Sequence, residues 1–157
     1  MNATRGRIVV GVDGSAESRA ALGYAVRDAA RRSARMEVVS AFDLPPYWAV
    51  AYGMREPAES PEELREAFLK ETQQLVDAVV ADVGPPAGSV PTTVAAVAGH
   101  PAQVLVDAAE GADALVIGHR GHGGFPGLAL GSVALQCVQH ATCPVVVVRA
   151  QPLPEER

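Results

Sequence analysis

The chain has 157 residues, a formal net charge of −5 and a pI near 5.3, with 48% hydrophobic but only 4% aromatic residues. That length suits a single domain, residues 1–157 with a core over about 5–150, whose interior has to be built from Ala, Val, Leu and Ile, and the apolar fraction excludes a disordered chain. Of the 13 basic residues Lys70 is the only lysine and follows no glycine-rich segment, which excludes a Walker A loop, while the acidic balance argues against nucleic-acid binding.

The first element is the apolar run Ile8–Val12, followed by Asp13-Gly14-Ser15. This run is too short for a signal sequence, and no stretch approaches the ~18 apolar residues of a membrane span, so a soluble cytoplasmic protein is expected. Ser15 to Arg32 reads as a helix with Ala21, Leu22, Ala25, Val26 and Ala29 on one stripe, Ser15 as its N-cap and Glu17 in its first turn. A second apolar run, Val38–Phe42, leads into the connection Asp43–Glu59, which carries Tyr47, Trp48 and Tyr52. Those aromatics have two readings, a lid over a ligand or packing on the protein's own core or a partner.

Ser60-Pro61-Glu62-Glu63 is a capping box with proline at the first helical position. Leu64, Phe68, Leu75 and Val79 continue that helix, and Gly84-Pro85-Pro86 stops it. A weaker strand, Thr92–Val97, precedes a third helix opening at His100-Pro101 with Val104, Leu105 and Ala108 inward. Ala114–Ile117 is the fourth strand, Ser132 opens a helix ending near His140, and Val145–Val148 is the last strand. The runs are nearly continuous rather than alternating, as in strands covered on both faces.

Alternating β and α with right-handed crossovers predicts an open, five-stranded parallel α/β sheet of Rossmann-like type, in the order 3-2-1-4-5 with helices on both faces. Ligands in such sheets lie outside the carboxyl ends of the strands where the order reverses, here at Asp13 and Gly118. The segment Gly118-His119-Arg120-Gly121-His122 through Gly131-Ser132 runs from that strand end to a helix start. Glycines let backbone N–H groups approach a ligand closely, and a helix N-terminus adds unpaired donors and the positive end of its dipole. Ser132 can add a hydroxyl and Arg120 a permanent cation. The bland alternative is a structural glycine connection; the position at the switch point favours a ligand. The spacing is not the dinucleotide fingerprint, which follows the first strand.

Gly118-x2-Gly121-x9-Gly131-Ser132 resembles the nucleotide-binding signature of the ATP-binding branch of the universal stress protein family, within the adenine-nucleotide α-hydrolase-like superfamily. Ile8 to Ser15 resembles its first strand and turn, Gly99-His100-Pro101-Ala102 its helix entry, and Cys143 to Arg149 its last strand. The resemblance implies a cytoplasmic, ATP-binding stress-response protein, usually a homodimer. By position, Gly118, Gly121, Gly131 and Ser132 would hold the triphosphate with the amide of Val133. Val12, Asp13 and Ser15 would lie at the same site, Asp13 near the ribose or phosphates and able to help hold Mg²⁺. The backbone of Ala41 would read the adenine edge. His119 and His122 stand where the family often has serine and arginine.

Other constellations read as structure. Cys137-x2-His140-x2-Cys143 has zinc-like spacing but no fourth ligand, and its cysteines read as small core hydrophobes. Ser132, His119 and Asp13 could form a hydrolytic set, yet no nucleophile elbow is present. Asp13 has a local role open to it, capping its own turn. The last strand is a sheet edge that invites pairing with a second copy over 144–149, unless the tail Ala150–Arg157 covers it. Three functions are thus in view: a nucleotide-dependent stress sensor or regulator, at most a slow ATPase, with a protein partner the sequence does not identify; a nucleotide-free interaction module; and an adenylating enzyme, which would need an acceptor site not visible here.

Overall fold

The parallel sheet is built from strands β1 (Arg7–Gly11), β2 (Arg35–Phe42), β3 (Thr92–Ala98), β4 (Ala114–Gly118) and β5 (Val145–Val148), in the order β3-β2-β1-β4-β5. The structure is a computed structural model that describes residues 6–44, 51–53, 60–121 and 130–150. Helices α1 (Ala16–Arg32), α2 (Pro61–Val83), α3 (Pro101–Ala108) and α4 (Ser132–His140) connect the strands, and a 3₁₀ turn, Ala87–Ser89, precedes β3. Among the described residues no helix is long and apolar enough to cross a membrane.

Both faces of the sheet carry a buried cluster at its centre, and β1 shows why its run is continuous. Ile8 and Val10 point into a cluster with Leu22 and Val26 of α1 and Val76 and Val79 of α2. Val9 points the other way, into a cluster with Leu105 of α3 and Ala134 and Cys137 of α4. In register, Val10 lies between Val38 of β2 and Val116 of β4. Ala21, Ala25 and Ala29 are fully buried, so a small-residue stripe seats α1 against the sheet. Phe42 and Phe68 stack at 5.1 Å, joining β2 to α2. At the amino end of the sheet the Arg7 guanidinium bonds the Glu37 carboxylate and the Ala108 carbonyl, at 3.1 and 2.7 Å.

The strand order and the helix positions match the sequence reading, with shifts at the ends. β2 begins at Arg35 rather than Val38. Its first residues alternate, with Arg35 exposed and Met36 buried, so an apolar-run criterion passes over them while their ladder to β1 continues. Val12 lies past the end of β1 but still donates its N–H to the Val39 carbonyl at 3.0 Å. The Gly84–Pro91 connection contributes to the core, because Ala87 of its 3₁₀ turn is buried there. Ser15 and Ser60 cap α1 and α2 through their side chains, the latter in a complete capping box with Glu63.

Candidate functional site

The chain leaves β1 on one side, through β2 and β3, and returns on the other to form β4. The two directions part at the carboxyl ends of β1 and β4, and a cleft opens there. On the β1 side, Gly14 takes φ 81°, which turns the chain back toward α1. The turn is held by Asp13, whose Oδ1 accepts the Ser15 N–H at 2.9 Å and the Ser15 hydroxyl. The Ser15 Oγ in turn accepts the Ser18 N–H at 3.2 Å, and the Ser18 Oγ accepts the Asp13 N–H at 3.3 Å. Asp13 therefore has the local turn-capping role and also stands at the cleft with its other oxygen toward β4. A Cβ on Gly121 would sit 2.6 Å from Asp13 Oδ2.

On the β4 side three glycines bring backbone segments together. A Cβ on Gly118 would meet Cβ, C and O of Glu17 at 2.8, 2.9 and 3.1 Å, so the first turn of α1 rests directly on the end of β4. His119 continues the ladder, its N–H donating to the Val148 carbonyl at 2.9 Å, and its carbonyl accepts the Gly131 N–H at 2.7 Å. That last bond fixes the start of α4 beside the end of β4. A Cβ on Gly131 would lie 3.3 Å from Cα of Arg120.

Gly131 is the N-cap of α4, and among the described residues no side-chain cap bonds this helix. The first-turn amides of Ser132, Val133 and Ala134 have no acceptor within the helix, and their dipole end faces the cleft. Helix α3 also lacks a side-chain cap, but it starts with Pro101, which has no N–H.

These parts enclose a cavity of about 580 Å³. It gathers Val12, Asp13, Ala41, Gly118, Arg120, Gly121, Gly131, Ser132 and Val133 on its wall. Of the residues expected to hold nucleotide, Ser15 alone does not line it. This serine is buried behind Asp13 as the α1 cap, and Ser18 reaches the cavity instead. Val39, Pro101 and Leu105 give the wall an apolar slot, with Gly11 beside them. A Cβ on Gly11 would meet Leu105 Cδ1 at 2.6 Å, so α3 closes tightly over β1. Val39, Leu105 and Pro101 were legible as strand or helix residues but not as site residues, since their role depends on α3 crossing the ends of β1 and β2. Among the described residues of the wall, Arg120 and Asp13 are the charged groups.

The remaining sequence constellations separate from the cavity. Cys137 is fully buried in the α3–α4 core, and burial pushes its thiol up to about 11, so it is a neutral core side chain. Cys143 packs against the same cluster. His119 does not line the cavity that Ser132 and Asp13 line, so those three do not form a hydrolytic set there. Tyr52 is exposed, while Tyr47, Trp48 and His122 lie outside the described residues.

The comparisons with known proteins agree with this architecture. The sequence profile of the universal stress protein family matches residues 4–149. A universal stress protein of Mycobacterium tuberculosis is 31% identical over 155 residues, covering 94% of this chain and 49% of the relative. One from Methanocaldococcus jannaschii is 32% identical over 145 residues, covering 91% of this chain and 81% of the relative. The chain thus spans about half the length of the mycobacterial relatives it matches. A crystal structure of a universal stress protein in complex with cAMP superposes with a TM-score of 0.63 at 26% identity, covering 95% of this chain and 100% of that one. Another from Archaeoglobus fulgidus superposes with a TM-score of 0.64 at 25% identity, covering 92% and 98%. By fold, by the match along nearly its whole length and by its glycine-lined cleft, the chain belongs to the universal stress protein family.

Proposed function

We propose that the cleft binds ATP and that the chain acts as a single-domain, cytoplasmic, nucleotide-dependent sensor or regulator in the stress response, at most a slow ATPase. The observation that carries this reading is the glycine-capped start of α4 at the cleft wall, without a side-chain cap among the described residues, beside Gly121 and Arg120. The phosphates sit against the amides of Gly121, Ser132 and Val133, with the Ser132 hydroxyl and the Arg120 guanidinium as further donors. Adenine enters the slot of Val39, Pro101 and Leu105, and the Ala41 backbone reads its edge. The similarity to a family member in complex with cAMP supports an adenine nucleotide as the ligand class.

Mg²⁺ fits the donors present. This ion needs only one or two carboxylates when phosphates and water complete its shell. Asp13 supplies one carboxylate at the cavity wall, held by Ser15. Bound there, Mg²⁺ would neutralise phosphate charge that a single arginine does not balance. The functional unit is a homodimer through residues 144–149. β5 is the sheet edge and its four valines are all half-buried, which leaves an apolar strand to pair with a second copy. A regulatory protein partner would read the nucleotide state.

A second reading has an observation in its favour. Gly118, Gly121 and Gly131 each meet a neighbouring chain segment, Glu17, Asp13 and Arg120 respectively. The glycines therefore have a packing reason without any ligand, as a nucleotide-free interaction module would need. Calorimetric titration with Mg-ATP, together with analysis of small molecules released on denaturation, separates the two. Co-purified or titratable ATP at one per chain, weakened tenfold or more by Gly131→Val, is the expected result. No heat at millimolar ATP and no released nucleotide would establish the module instead.

A further inference from the structure

We propose that the groove between the C-terminal half of α1 and the Pro85–Pro86 turn is a second ligand site, for a small aromatic carboxylate. It has a volume of about 630 Å³ and shares no wall residue with the cleft. α1 starts at the carboxyl end of β1 and ends at the amino end of β2, so this groove lies toward the opposite edge of the molecule. Tyr24, Arg27 and Arg31 line it from α1, and Val83, Pro85 and Pro86 line it from the end of α2 and the turn that follows. A phenol and two prolines on one wall suit a flat apolar body, and the volume is within the size range of small-molecule sites.

The charge of the groove selects the rest of the ligand. The protein as a whole is acidic, at −5, yet the charged side chains on this wall are both guanidinium groups. Arg31 bonds the buried Asp28 at 3.2 Å, and Arg32 meets the same carboxylate at 3.0 Å. Those two arginines also suit the negative end of the α1 dipole. Neither explanation covers Arg27, which lies a turn earlier, is exposed and has no ion pair among the described residues. Its Nη1 lies over Gly23, 3.3 Å from the position a Cβ would take, so the glycine leaves room for the guanidinium beside Tyr24. A carboxylate takes the planar fork of Arg27 with two parallel hydrogen bonds, and Arg31 adds a second positive charge at the same end.

The test is an amide NMR titration of the whole chain with 2-naphthoate, using neutral 2-naphthamide as the control and repeating both with Mg-ATP present. Saturable shifts at Tyr24–Arg31 and Val83–Ala87 are expected, with a dissociation constant below about 1 mM, unaltered by ATP. Arg27→Gln should weaken naphthoate at least fivefold without changing the melting temperature, and naphthamide should not saturate. Shifts confined to residues 118–133 and abolished by ATP would mean the probe uses only the nucleotide cleft, which would overturn the second site while leaving the nucleotide reading intact. Equal binding of naphthoate and naphthamide, or an Arg27→Gln variant with unchanged affinity, would also overturn it.

Discussion

Replacing Gly118 with alanine tests whether the glycines after β4 are needed by the fold before any ligand is present. Gly118 has an ordinary negative φ, so alanine meets no backbone strain and the effect is one of contact alone. Its new methyl would lie 2.8 Å from Cβ and 2.9 Å from the carbonyl carbon of Glu17, against the roughly 3.5–4.0 Å of a relaxed carbon contact. The obstructing atoms belong to the first turn of α1, which the Ser15 cap and the Asp13 turn hold in place. They cannot swing aside as a long side chain would. Overpacking of this kind costs about 1–3 kcal/mol. At ~2–4 °C per kcal/mol for a chain of this size, the melting temperature falls by roughly 2–12 °C. The assay is thermal unfolding by circular dichroism of nucleotide-free protein, with Gly88→Ala as the control. Gly88 has nothing within 4 Å of a Cβ, so that variant should lose no stability. If nucleotide-free Gly118→Ala melts within about 1 °C of the parent, the packing role of Gly118 is wrong.

Ser132→Ala should weaken ATP binding about fivefold, equivalent to roughly 1 kcal/mol for one lost hydrogen bond, with stability unchanged because this side chain caps nothing; calorimetry reads both numbers. Val147→Glu places a charge in the half-buried edge strand and should give a monomer in light scattering, whereas a persisting dimer would put the interface elsewhere. Cys137 links stability to alkaline pH. Its folded value, about 11, is raised above that of an unfolded thiol, so its contribution is complete below the unfolded value and is lost as pH rises through the folded one. Urea unfolding between about pH 8 and 11 should show this decline in the parent and a shallower one in Cys137→Ala, and identical slopes would remove Cys137 as the cause.

The fold was legible because its signals are local. Each buried strand is a short apolar run, and the Ser15, Ser60 and Pro101 helix starts carry their own chemistry in sequence. The position of the cleft was legible too, because strand order fixes it before any side chain is considered. What the sequence could not show was which surfaces meet across the cleft. Ser15 and Ser18 are both small hydroxyl residues near Asp13, and only the handedness of the first α1 turn sends Ser15 behind the carboxylate and Ser18 to the cavity. Leu105 looked like an ordinary inward helix residue, and it becomes a slot wall because Gly11 lets α3 approach β1. The glycine spacing pointed to a loop whose ends stand at the cleft wall, but the contacts with Glu17, Asp13 and Arg120 give those glycines a reason that spacing alone does not contain.

The four helix starts among the described residues bear on why so little side-chain charge is present on the described cleft wall. α1 and α2 each satisfy one first-turn amide with an N-cap serine, and α3 begins with proline. α4 alone opens with glycine onto the cavity. At an N-cap, glycine in place of serine or asparagine costs only a few tenths of a kcal/mol, so leaving this end open asks little of the fold. An anion at that end recovers the hydrogen bonds and about 0.3–1 kcal/mol from the dipole. A ligand at a hundred times its dissociation constant adds ~2.7 kcal/mol to the folded state, several times what the glycine cap gives up. In the proposed reading the phosphate group is therefore the missing cap of α4. On that proposal, a chain with Lys70 as its one lysine would hold a nucleotide through backbone amides placed by Gly121 and Gly131, with Arg120 as the side-chain cation among the described wall residues.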